Sequence, residues 1–147
     1  MRWSKVKQLV EERMAPSLQG RVEVHSTRYH NDRWQEDSRG WFTIDKHEVA
    51  NFSSLIFPYG NIAEHSDRNV SEKGDFERAI GISLSGSIDE MLQSENSITR
   101  ALAMLDGRLG KRRLRTLQIR DDEHPLVRRF YDLRCESEGI TPQPATA

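Results

Sequence analysis

A chain of 147 residues with 35% apolar side chains can bury roughly two-thirds of its unfolded surface, so it folds around a core without covalent staples. Its 22 basic and 23 acidic residues leave a net charge of −1, which excludes global steering towards nucleic acid or an anionic membrane. The single cysteine, Cys135, excludes an internal disulfide and a paired-cysteine metal knuckle, and no apolar run approaches the ~20 residues of a membrane helix. The expected compartment is the cytoplasm, with no membrane association.

Residues 4 to 14 predict an amphipathic helix, with Ser4 as its cap and Val6, Leu9, Val10 and Met14 at helical spacing. Pro16 stops it. Arg21 to Tyr29 alternates as a strand, with Val22 and Val24 on one face and Glu23 and His25 on the other. Asn31 to Arg39 reads as a polar loop. Trp41 to Ile44 and His47 to Phe52 read as a hairpin across Asp45-Lys46, with Trp41 in the core. Residues 53 to 86 carry no clear pattern beyond a short helix around Phe76 to Ile80.

The last third is the most legible. Ser87 and Glu90 match a capping box, and Asn96 or Ser97 caps the next helix, whose stripe is Ile98, Leu102, Leu105 and Leu109. Lys111 to Leu117 predicts one or two helical turns. Pro125 after His124 opens a helix with an apolar edge of Leu126, Phe130 and Leu133, and Gly139 closes it. The expectation is a single α+β domain over 1–140, followed by a flexible tail at 141–147. It has an N-terminal helix, an antiparallel sheet of three or more strands, and a helical C-terminal half packed on one sheet face.

The opening MRWSKVKQLVEERMAPSLQGRVEVHSTRY and the later SIDEMLQSENSITRALAMLDGRLGKRRL…HPLVRRFYDLRCESEGI together resemble a family of small bacterial cytoplasmic proteins of unknown function. The resemblance covers about half of the chain and implies a bacterial, cytoplasmic origin. It brings no activity and no site residue. The chain departs from it at the hairpin turn, where Asp-Gly is expected and Asp45-Lys46 stands.

The sharpest charge feature is the run Lys111, Arg112, Arg113, Arg115, flanked by Arg108 and Arg120. Residues 100 to 134 hold ten basic and five acidic side chains, and residues 61 to 99 hold eight acidic and three basic ones. The favoured expectation is that these charges are solvated or pair within the fold; pairing across a homodimer ranks second, and binding of nucleic acid or phosphate third. Trp34, in a polar loop, is either a contact residue or a lid over the sheet. His25, His30, His47, His65 and His124 match no metal-ligand spacing, and no metal or cofactor is expected. Cys135 reads as a partly buried, inert thiol. The Gly81 to Gly86 stretch lacks the lysine of a phosphate loop, and no GxSxG elbow is present. These readings favour a non-enzymatic interaction or accessory protein, with a protein partner or a second copy. The alternatives are nucleic-acid or phosphate-ligand binding through Arg108 to Arg120, and an enzyme whose site is assembled from residues distant in sequence.

Overall fold

The computed structural model of the chain describes residues 2–30, 36–53 and 72–147; the side chains of 28–30, 36–38 and Glu72 lie outside that description, as do Trp34 and the stretch 54–71. Helix α1 (Trp3–Glu12) and a 3-10 turn (Pro16–Leu18) precede strands β1 (Val22–His30), β2 (Glu36–Ile44) and β3 (His47–Ser53). Helices α2 (Glu72–Ser85), α3 (Ile88–Leu92), α4 (Ser97–Leu105), α5 (Lys111–Thr116) and α6 (Pro125–Glu138) follow. The architecture is the expected α+β one.

The strands form an antiparallel meander in the order β1-β2-β3. Val24 opposes Phe42 and His25 opposes Trp41; across the second pairing, Phe42 opposes Ala50 and Trp41 opposes Asn51. A period of two then sends Val22, Val24, Phe42, Ile44 and Phe52 to a buried inner face. Phe42 sits at the centre, with edge contacts to Phe52 at 6.0 Å, Phe76 of α2 at 5.7 Å and Phe130 of α6 at 5.3 Å. Gly40 makes this packing possible: a Cβ there would stand 2.5 Å from the Phe76 ring. Trp41, expected in the core, points the other way. It is one residue out of phase with Phe42, and it lies half-buried on the outer face.

The hairpin turns through Asp45 and Lys46 with φ of 50° and 72°. Two central residues with positive φ define the mirror-image turn that matches strand twist, which explains the preference for glycine at the second position. Lys46 adopts that backbone as a non-glycine residue. Side-chain pairs brace it: Lys46 reaches Glu23, and Arg21 grips Asp45 with Nε and Nη2 at 3.0 Å each. The free edge of β1 is covered by α1. Lys7 Nζ donates to the Val24 carbonyl at 3.0 Å, and Glu11 accepts the Val24 amide at 2.9 Å. That arrangement occupies backbone groups which would otherwise template a foreign strand.

Several boundaries differ from expectation. Ser4 is not the first cap; α1 opens at Trp3 behind Arg2, with no side-chain cap bond. β2 starts at Glu36, inside the stretch read as loop. α2 is far longer than Phe76 to Ile80, because Phe76, Ala79, Ile80 and Ser83 recur at i, i+3, i+4 and i+7 and are all buried. Ser83 is tolerated there because its hydroxyl donates to Ile80 O at 2.7 Å. The glycine-serine run is thus mainly helix, not a phosphate loop. The later signals hold. Ser87 accepts from Glu90 N at 3.1 Å, and Asn96 caps α4 through the Ile98 and Thr99 amides. Pro125 opens α6, and Gly139 closes it at φ 69°.

Asp106 and Arg134 knot the helix ends together. The Arg134 guanidinium is buried at 2% exposure. It donates to the carbonyls of Met104 at 3.2 Å, Asp106 at 2.8 Å and Leu109 at 2.6 Å, and its Nε meets Glu138 at 2.7 Å. These carbonyls lie at the end of α4 and in its following turn, where the helical ladder has stopped; Asp106 O also accepts the Leu109 amide at 3.1 Å. On the other side, Ala15 N donates to Leu105 O and Gly107 N to Arg13 O, each at 2.8 Å, tying in the end of α1.

The segment 141–147, expected as a flexible tail, is docked. Gln143 N donates to the Tyr131 hydroxyl at 2.7 Å, and Arg128 Nη1 donates to Gln143 O at 2.9 Å. Thr146 bridges to the Ile119–Asp121 backbone through bonds of 2.9 and 2.7 Å. Composition misled here: two prolines cannot extend a helix, but an extended strap still satisfies exposed backbone groups. Deleting 141–147 is expected to lower the melting temperature by several degrees, since four such bonds at about 1 kcal/mol each form part of a marginal stability. An unchanged melting curve would show that the strap contributes nothing.

Candidate functional site

The predicted cationic residues divide into two groups. Arg108 is a structural clamp. Its Nε and Nη2 grip Asp106 at 3.1 and 2.9 Å, and it also donates to Gly86 O at 2.8 Å and Ser83 O at 3.2 Å. The hydrogen bond to the nearly buried Asp106 raises its already high pKa. Arg113 pairs with Asp89 of α3 at 2.7 Å, and Arg120 with Asp122 at 2.9 Å. Lys111, Arg112 and Arg115 are exposed, and among the described residues none pairs with a carboxylate.

Neutralisation between the acidic and basic segments is therefore narrow. Among the described residues it runs through Arg113–Asp89, while Arg100–Glu123, Arg108–Asp106, Arg120–Asp122, Arg128–Asp132 and Arg134–Glu138 pair locally. Residue phase on α5 explains the division. Leu114 is fully buried and fixes the inward direction. At about 100° per residue, Lys111, Arg115 and Arg112 fall within an arc of about 100° on one flank, and Arg113 falls on the other. The first turn of α5 contains no acid and its Gly110 cap offers no side chain, so Lys111 and Arg112 stand at the positive end of the helix. Cations there cost roughly 0.3–1 kcal/mol each when exposed.

A second surface was not foreseen. The outer face of the sheet carries His25, Arg39, Trp41, Glu48 and Asn51 around the nearly buried Thr43. The Arg39 guanidinium lies 4.2 Å from the Trp41 ring centroid. Asn51 holds Arg39 Nε at 2.9 Å, and Glu48 pairs with the same guanidinium. The His25 imidazole stacks on Trp41 at 5.1 Å with 20° between planes, while its Nε2 lies 3.1 Å from the Thr43 hydroxyl. Desolvation, then the charge of Lys7, lowers the His25 pKa and favours the neutral ring. The result is a preordered row of an arginine, an indole and an imidazole on paired strands. The two-residue turn joins β2 to β3 and bears on the pairing of Trp41 with Asn51; the pairing of Trp41 with His25 belongs to β1 and β2, whose register the sequence pattern did not specify.

Other candidates do not converge. His25 faces Trp41 and His47 faces Ile44, so the two imidazoles are not cross-strand partners. Among the described residues no group of three or more His, Cys, Asp and Glu side chains is arranged to hold a metal. Cys135 is fully buried, and burial raises its thiol pKa, which disfavours the thiolate. A space of about 10 Å³ beneath Met91 and Leu102 has room for about one water. Among the described residues no helix is long and apolar enough to cross a membrane. Trp34 lies outside the described residues.

The family model of the SF0329 protein family matches residues 2–65 and 59–135, including the middle stretch. No curated protein and no solved structure matches the chain.

Proposed function

The chain belongs to the SF0329 protein family, and for it we propose a non-enzymatic role in the bacterial cytoplasm: an interaction or accessory protein that binds another protein through the outer face of its sheet. The observation that carries this reading is the half-exposed Trp41, with Arg39 held 4.2 Å from its ring. Tryptophan and arginine supply a disproportionate share of binding energy at protein interfaces, because both offer large contact areas. Arg39 is fixed in advance by Asn51 and Glu48, so less side-chain entropy is lost when a partner docks. The face is also close to neutral, with Glu23 and Glu48 set against Arg39 and Lys46, which suits a protein surface better than a polyanion.

A photo-crosslinking side chain at Thr27, beside Arg39 on this face, tests the reading in living cells. The expected result is one discrete crosslinked protein, lost when Trp41→Ser is added and absent when the crosslinker stands at the exposed loop residue Glu95. Equal products from positions 27 and 95, or no product from position 27, would remove the support for this face. Circular dichroism of Trp41→Ser separates lost contact from lost fold.

A further inference from the structure

We propose that the face of α5 bearing Lys111, Arg112 and Arg115 docks on the phosphate backbone of a nucleic-acid duplex. This goes beyond the reading of the sheet's outer face and does not depend on it. Leu114, fully buried, anchors the helix, so the three cations stand on a fixed support. Their shared flank follows from helical phase, with i,i+3 and i,i+4 neighbours about 5–6 Å apart at Cβ. Arg100, Arg108, Arg113, Arg120, Arg128 and Arg134 each hold a carboxylate. Among the described residues Lys111, Arg112, Arg115 and Arg129 hold none, and the first three of these share α5.

The placement works against the protein taken alone. Like charges stand side by side, two of them at the positive end of a helix whose first turn has no acid. A local rule broken without compensation inside the fold points to a compensating charge outside it. That charge is a repeating one. The three side chains lie exposed along a single short helix, which suits successive phosphates. The run contains no aromatic side chain for stacking on unpaired bases, and Leu114 is turned inward, so it cannot insert into a lipid surface. A duplex backbone fits these features.

The test is a titration of the full chain with a mixed-sequence DNA duplex at several salt concentrations. Three neutralised phosphates give a slope of about −2.7 in log affinity against log salt, or about a 40-fold loss between about 50 and about 200 mM. The variant K111Q/R112Q/R115Q should bring the slope close to zero while its melting temperature holds or rises. Each single glutamine substitution should remove about 0.9 from the slope. The variant R113Q/R120Q, which removes arginines already paired, should keep the wild-type slope. Three results would overturn the proposal: no salt-dependent binding by the wild-type chain, equal binding by the triple variant, or binding of phosphatidylserine vesicles in preference to the duplex.

Discussion

Replacing Arg134 by methionine is expected to lower the free energy of unfolding by about 3–5 kcal/mol, the cost of breaking a buried, hydrogen-bonded ion pair from one side. Methionine keeps much of the apolar stem, so the loss reports the guanidinium and not the volume. The carbonyls of Met104 and Leu109 lose their donor, and that of Asp106 keeps only the Leu109 amide at 3.1 Å, in a region where water has little access. An unsatisfied buried polar group costs about 1–3 kcal/mol. Glu138, 11% exposed, also loses its partner. The control is Glu138→Gln, which leaves the three carbonyl bonds intact and should cost clearly less. Urea denaturation of both variants decides the matter. Equal losses would mean that the ion pair, and not the carbonyl cradle, holds the knot.

The second large effect is at Gly40. Gly40→Ala is expected to cost about 1–3 kcal/mol, the usual range for an overpacked core. The new methyl would stand 2.5 Å from the Phe76 ring, closer than real Cβ contacts come. The ring has little freedom to retreat, since Phe42 and Phe52 each lie 5.7 Å away and Trp3 6.4 Å away. Phe76→Ala alone should cost about 3–5 kcal/mol through the cavity that it leaves. The two changes should not add. In the Phe76→Ala background the Gly40 methyl enters vacated space, so Gly40→Ala becomes neutral or mildly stabilising. A full double-mutant cycle reads this directly. The same penalty in both backgrounds would show that Gly40 is required for its backbone, not for the room it leaves.

Much of the fold was written locally. The Ser87 and Asn96 caps, Pro125 and Gly139 act within a few residues of themselves, and each stands where the sequence placed it. Leu102, Leu105 and Phe130 are buried as their helical spacing requires. The charges were legible only as a sum. Counting the residues between 61 and 134 foresaw opposite segments, but not that Arg108, Arg120, Arg128 and Arg134 would each find a carboxylate nearby along the chain. That choice depends on reach and on which flank of a helix a side chain leaves. For this reason Arg108, three residues before Lys111, and Arg113, next to Arg112, pair with Asp106 and Asp89.

The sequence by itself determined the Asp45-Lys46 hairpin, the inward alternation of Val22 and Val24, and the C-terminal helices with their Ser87, Pro125 and Gly139 signals, because turns, caps and periodicity are short-range chemistry. Tertiary structure alone decided four things. It buried Arg134 beneath three carbonyls brought from α4 and its following turn, and it drew Phe76 over Gly40. It docked 141–147 along Tyr131 and Ile119. It also turned Trp41 outward beside His25 and Arg39. Each of these joins residues distant in the chain or depends on strand register. Such contacts appear only once the backbone has closed, when packing space and unsatisfied carbonyls acquire a position.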